Sequence, residues 1–143
     1  MSAQSGLFIE DISVGQSADY RRTVSEADIS AFAEISGDRN PVHLDQDYAE
    51  ETMFKGRIAH GMLSGAYIST VIGMKLPGPG AIYMSQSLRF RAPVRIGDEV
   101  VTTCTVTEVS LAKKRITLEC VCQVGETKVV TGEALVMVPS RVA

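Results

Sequence analysis

The sequence predicts an α+β domain in which a long, curved antiparallel sheet wraps around one apolar helix, and three observations predict it. The stretch from Met62 to Met74, MLSGAYISTVIGM, carries no charge on any side. Four runs rich in Val, Thr and Ile follow it, at Ile82 to Phe90, Glu99 to Ser110, Arg115 to Val124 and Lys128 to Val138. Between helix and strands stands the cluster Leu76-Pro77-Gly78-Pro79-Gly80, the one dense group of breakers, which divides the chain by texture. At 143 residues the chain is sized for a single domain, expected to span 1–143.

Each element has a local reason. Ser25 with Asp28 three residues on reads as a capping pair, and Ile29, Phe32 and Ala33 then recur at helical spacing until Ser36-Gly37, where glycine can take the left-handed cap. The polar segment from Asp45 to Thr52 predicts a second, solvated helix. The helix after it is apolar all round, so it must lie in a core or in lipid. About 13 uncharged residues at about 1.5 Å each reach about 20 Å, short of the roughly 30 Å hydrocarbon layer, so it is a core helix. Gly61, Gly65, Ser69 and Gly73 recur every four residues and leave one face nearly bare. A neighbouring backbone or a bound substrate must approach that face closely. In the third strand run, Ile116, Leu118, Cys120, Cys122 and Val124 alternate with Thr117, Glu119 and Gln123, the pattern of a sheet with one buried side. Ala112-Lys113-Lys114-Arg115 and Gly125-Glu126 are short enough to be hairpin turns.

Composition narrows the function classes. Apolar types make up 45% and charged types 22%, so the chain can bury a core. The net charge of −3 argues against capture of nucleic acid or of an anionic membrane surface. The N-terminal MSAQSGLFIEDISVG lacks the cationic start and apolar run of an export signal, which predicts a cytoplasmic protein. Cys104, Cys120 and Cys122 are odd in number, lie in strand sequence and lack the spacing of a zinc site, so they read as reduced small hydrophobes.

Chemistry concentrates in Ser36-Gly37-Asp38-Arg39-Asn40-Pro41-Val42-His43. Asp38 and His43 are a carboxylate and an imidazole on a loop pinned by Gly37 and Asn40-Pro41, so a tight turn could aim both into one space. Acid–base catalysis needs such a pair, since histidine titrates near neutrality and partial burial could raise an aspartate into the range of a competent base. Spacing alone leaves a plainer reading open, in which Asp38 caps the turn and His43 is a packing residue. Arg57-Ile58-Ala59-His60-Gly61-Met62 leads into the core helix, whose first turn offers unpaired N–H groups and the positive end of a dipole. Gly61 has no side chain to block its N–H from a developing oxyanion, although it also reads as a packing glycine; His60 reads as structural.

SGDRNPVHLDQDYA at Ser36 to Ala49, RIAHGMLSGAYIS at Arg57 to Ser69 and YMSQSLRFRAPVRIGD at Tyr83 to Asp98 resemble the MaoC-like, (R)-specific enoyl-CoA hydratases, across nearly the whole chain. The resemblance implies a hot-dog fold, a homodimer and a lyase that hydrates trans-2-enoyl-CoA to (R)-3-hydroxyacyl-CoA. It is nearest the short members that link β-oxidation to polyhydroxyalkanoate synthesis. By motif it makes Asp38 and His43 the catalytic pair, Gly61 the oxyanion donor and Ser69 a neighbour of the carboxylate site. The acyl tail would then run along the small-residue face, where Ile72 and Gly73, one turn beyond Ser69, would limit its length, and the reaction needs neither metal nor organic cofactor. Lys113-Lys114-Arg115, or Arg89 with Arg91, are candidate contacts for the CoA phosphates, although a solvated turn and an exposed strand edge are the plainer readings of the two groups. An acyl-CoA thioesterase and a non-catalytic acyl-CoA-binding protein are the alternatives that the fold alone does not separate.

Overall fold

A computed structural model of the chain describes residues 6–142. After a 3-10 turn at Ile9–Asp11, the elements are β1 (Ser17–Thr23), α1 (Glu26–Ser36), α2 (Pro41–Leu44), α3 (Gln46–Glu50), α4 (Gly61–Met74), β2 (Ile82–Phe90), β3 (Glu99–Ser110), β4 (Arg115–Val124) and β5 (Thr127–Met137). The strands form one sheet in the order β1-β3-β4-β5-β2, every neighbouring pair antiparallel. The four strand runs read from sequence are β2 to β5, and only β5 is displaced, by one residue at each end.

α1 starts where its cap residues predict: Ser25 Oγ accepts from Asp28 N–H and the Asp28 carboxylate accepts from Ser25 N–H. It ends on Gly37 at φ 78°, left-handed, with Gly37 N–H donating to the Ala33 carbonyl. The helix expected at Asp45 to Thr52 is the shorter α3, and a separate turn not read from the sequence, α2, precedes it. Pro41 opens α2, since it has no N–H to leave unpaired, and Asp45 ends it and caps α3 by accepting from Tyr48 N–H. β1 escaped the sequence reading because SADYRRT is polar. It is an edge strand, and only Ala18 and Tyr20 pack against the core.

α4 lies against the concave side of the sheet. Leu63, Ser64, Tyr67, Ile68, Val71 and Ile72 are buried, at intervals that keep one broad stripe facing β3, β4 and β5. The sheet answers with Val100, Cys104, Val106, Ile116, Leu118, Cys120, Cys122, Ala134 and Val136, all at most 1% exposed. The three cysteines are thus free thiols packed as small core residues. The opposite stripe of α4, including Met62, Ala66, Ser69, Gly73 and Met74, is exposed, and β2 reaches only its N-terminal turns. A Cβ on Gly61 would lie 2.6 Å from Phe90 Cδ1, and one on Gly65 3.4 Å from Leu88 Cδ1, whereas one on Gly73 would meet nothing. Among the described residues no helix is long and apolar enough to cross a membrane.

Leu118 is fully buried at the centre of the inner face of β4. Leu118→Ala should therefore lower unfolding stability by about 2–5 kcal/mol, read as a drop in the denaturant midpoint with little change in slope.

Candidate active site

The loop after α1 is built from its own polar side chains. Asp38 N–H donates to Ser36 Oγ at 3.1 Å, Asn40 N–H to Asp38 Oδ1 at 3.2 Å, and Val42 N–H to Asn40 Oδ1 at 3.2 Å. Asp38 therefore does cap the turn, as the plainer reading held, yet it also borders a cavity that His43 lines with it. The partial burial expected of Asp38 is not found. Asp38 is exposed and His43 is 8% exposed, so desolvation falls on the imidazole.

His43 Nδ1 lies 2.8 Å from the Ile58 carbonyl. A carbonyl only accepts, so Nδ1 carries the proton and the neutral ring keeps its lone pair at Nε2. Burial holds His43 below its ordinary pKa of 6.5, with the charge of His60 acting the same way; the Ile58 carbonyl and the Asp38 carboxylate pull in the opposite direction. Arg57 ties this short helix down, its Nε donating to the His43 carbonyl at 2.7 Å while its guanidinium pairs with Glu26 of α1 at 2.7 Å.

His60 does more than close the helix entrance. Its Nε2–H donates to the Asp38 carbonyl at 2.9 Å and its ring stacks on His43 with centroids 3.9 Å apart. Phe32 packs on it with a centroid distance of 4.9 Å. His60 Nδ1, buried beside the cavity, has no partner among the described residues. One side chain thus joins the backbone of Asp38 to the ring of His43. Asp38, His43 and His60 also place ligand atoms within 4.8 Å of one another.

α4 begins at Gly61, so its N-terminal dipole opens on the same cavity, of about 520 Å³. Ile58, Ala59, Phe90, Val94 and Val130 give it apolar walls, with Met53 and Phe54 also lining it. Asp38, His43 and Gly61 are brought together there. Ser69 and Ile72 are not: Ser69 is exposed on the open stripe of α4, and Ile72 is 1% exposed in the core. Eight residues of helix carry Ser69 about 12 Å along the axis and about 80° around it from Gly61. Ser64, 3% exposed, is the α4 hydroxyl that lines the cavity. Three residues separate it from Gly61, close to one turn, a spacing that could have found it.

A sheet curled on one uncharged helix, with a carboxylate and an imidazole at the helix tip, defines a hot-dog domain with a candidate acid–base pocket. The MaoC like domain model matches residues 11–130. The chain is 56% identical over 134 residues to an (R)-specific enoyl-CoA hydratase of Rhodospirillum rubrum, covering 94% of this chain and 93% of that protein. Its fold superposes on the unliganded R-hydratase PhaJ1 of Pseudomonas aeruginosa with a TM-score of 0.89 at 47% identity, over 95% and 88% of the two chains. The (R)-hydratase of Aeromonas caviae, described as involved in PHA biosynthesis, gives 0.88 at 41% identity, over 91% and 99%. This chain belongs to the MaoC-like domain family.

The depressed pKa of His43 has a sign that can be tested. Below pH 6.5 the unfolded chain binds a proton that the folded site resists, so the contribution of His43 to stability is complete above pH 6.5 and is lost as pH falls through the folded value. Denaturation midpoints measured from about pH 7.5 down to about 5.5 should fall, and His43→Gln should flatten that slope.

Proposed function

We propose that this protein catalyses the (R)-specific hydration of trans-2-enoyl-CoA to (R)-3-hydroxyacyl-CoA, and that Asp38 and His43 are its catalytic pair. The observation that carries the reading is the convergence of Asp38, His43 and the first residue of α4 on one apolar cavity. Identity to the Rhodospirillum rubrum hydratase over almost the full length of both chains supports the substrate class. The likeness to the Aeromonas caviae enzyme supports a role in supplying (R)-3-hydroxyacyl-CoA for polyhydroxyalkanoate synthesis.

Hydration of a conjugated thioester needs a water activated at Cβ, a proton delivered to Cα and a stabilised enolate oxygen. His43 Nε2 and the Asp38 carboxylate are acceptors for the two hydrogens of one water. The water oxygen bonds to Cβ as one proton passes to the pair, and the π electrons move toward the thioester oxygen. The Gly61 N–H and the α4 dipole receive that charge, in walls of low polarity where one such donor contributes about 3–4 kcal/mol. The held proton then returns to Cα, and the enolate collapses to the product thioester. Donation and return on one side of the substrate give syn addition.

The partner is a second copy of this chain. β2 is an edge strand with Ile82, Tyr83 and Met84 exposed, and the open stripe of α4 exposes Met62 and Met74. Pairing along both would cover a strand edge and an apolar face that a single chain leaves in water. Sedimentation equilibrium should give about twice the 15.4 kDa chain mass, and a mass of one chain would contradict the pairing.

With crotonyl-CoA, the enoyl-thioester absorbance should fall without release of thiol; thiol release would identify a thioesterase instead. Asp38→Asn and His43→Gln should each lower kcat by about 10²–10⁴-fold. Reaction in deuterated water should place deuterium and hydroxyl on the same face, and anti addition would contradict a single shared water.

A further inference from the structure

The cavity beside Asp38 and His43 has a mouth and a closed end. Met53, Met62 and Phe90 line it and are exposed. Besides the two histidines, its buried lining is Ala59, Ser64, Val94 and Val130. Ser64 therefore brings a hydroxyl into an end walled by alkyl groups. A serine or threonine inside a helix commonly donates to the carbonyl four residues back, as Ser36 does to Phe32 and Thr70 to Ala66. Ser64 does not. Its carbonyl accepts from the Cys122 thiol at 3.7 Å, but its Oγ has no partner among the described residues. A buried hydroxyl left unpaired in a cavity wall is available to whatever enters the cavity.

The shape of the cavity orients the substrate. The CoA arm must leave through the mouth, so the acyl group takes the closed end. Ser64 stands three residues beyond Gly61 on α4, about 4.5 Å along the axis, and its side chain leans back toward the helix N-terminus. C1 and C4 of an enoyl chain are a similar length apart, so a thioester carbonyl at the Gly61 N–H brings the substituent on C4 to Ser64 Oγ. We infer that Ser64 is a specificity-determining residue whose hydroxyl selects enoyl-CoA substrates bearing a hydroxyl on C4, an inference that rests on the enoyl-CoA reading above. Two hydroxyls each donate and accept, so they pair in either sense. An alkyl group in the same place shuts water away from Ser64 Oγ and returns no hydrogen bond. A carboxylate there would bring a charge to a closed end whose alkyl walls offer no cation.

The test is the ratio of kcat/KM for 4-hydroxycrotonyl-CoA to that for trans-2-pentenoyl-CoA, substrates of nearly equal shape in which a hydroxyl replaces the terminal methyl. Intrinsic reactivity and any general loss of activity cancel when the ratio is compared between wild type and variant. Ser64→Ala should lower the ratio about five- to tenfold, and Ser64→Thr, which keeps the hydroxyl, should hold it near the wild-type value. An unchanged ratio in Ser64→Ala would overturn the assignment, as would an equal fall in Ser64→Thr. If neither thioester is hydrated, the reaction itself is wrong, and calorimetry with the saturated 4-hydroxybutanoyl-CoA and pentanoyl-CoA then decides the role of Ser64. Tighter binding of the hydroxylated thioester that is lost in Ser64→Ala upholds it. A difference absent from the wild type, or kept in the variant, overturns it.

Discussion

A helix with no charged residue cannot stand in water, and the rest of the molecule is arranged around covering α4. The sheet covers one stripe of it with a continuous layer of Val, Ile, Leu and Cys. Because α4 is a rod pinned along its length by that layer, its N-terminus is a fixed point in the structure. The dipole and the unpaired N–H groups at Gly61 open into a cavity with apolar walls, where partial charges act with little screening.

The proton-handling side chains depend on that fixed point. Asp38 and His43 belong to a short loop and a single helical turn that hold little structure of their own, and His60, the residue before α4, fastens both. It bonds to the backbone of one and stacks on the ring of the other, while the Ile58 carbonyl sets the tautomer of His43. Arg57 carries the same restraint back to α1 through Glu26. Two backbone carbonyls, each accepting from one imidazole, thereby decide which ring nitrogens remain free.

Much of the fold was legible because the signals were local. The alternation of β4, the capping pair of α1 and its terminal glycine depend on neighbours in sequence, and the structure repeats them almost residue for residue. β1 was not legible, since only Ala18 and Tyr20 of its seven residues meet the core, too short an alternation to stand out in a polar run. The site was legible in part. Asp38, His43 and Gly61 stood out by residue type and by family motif, whereas Ser64 is one more small residue in an apolar helix until the cavity beside it is seen.

By itself, then, the amino-acid order determined most of the helices and strands, β1 and α2 excepted, which face of β4 is apolar and where an acid and a base share a short loop. These follow from periodicity and turn chemistry, which act over a few residues. Tertiary structure decided which nitrogen of each histidine is free, that burial falls on His43 and not on Asp38, and that Ser69 and Ile72 lie away from the cavity. Those outcomes depend on contacts between residues far apart in the chain, and no local pattern encodes the distance or the direction of such a contact.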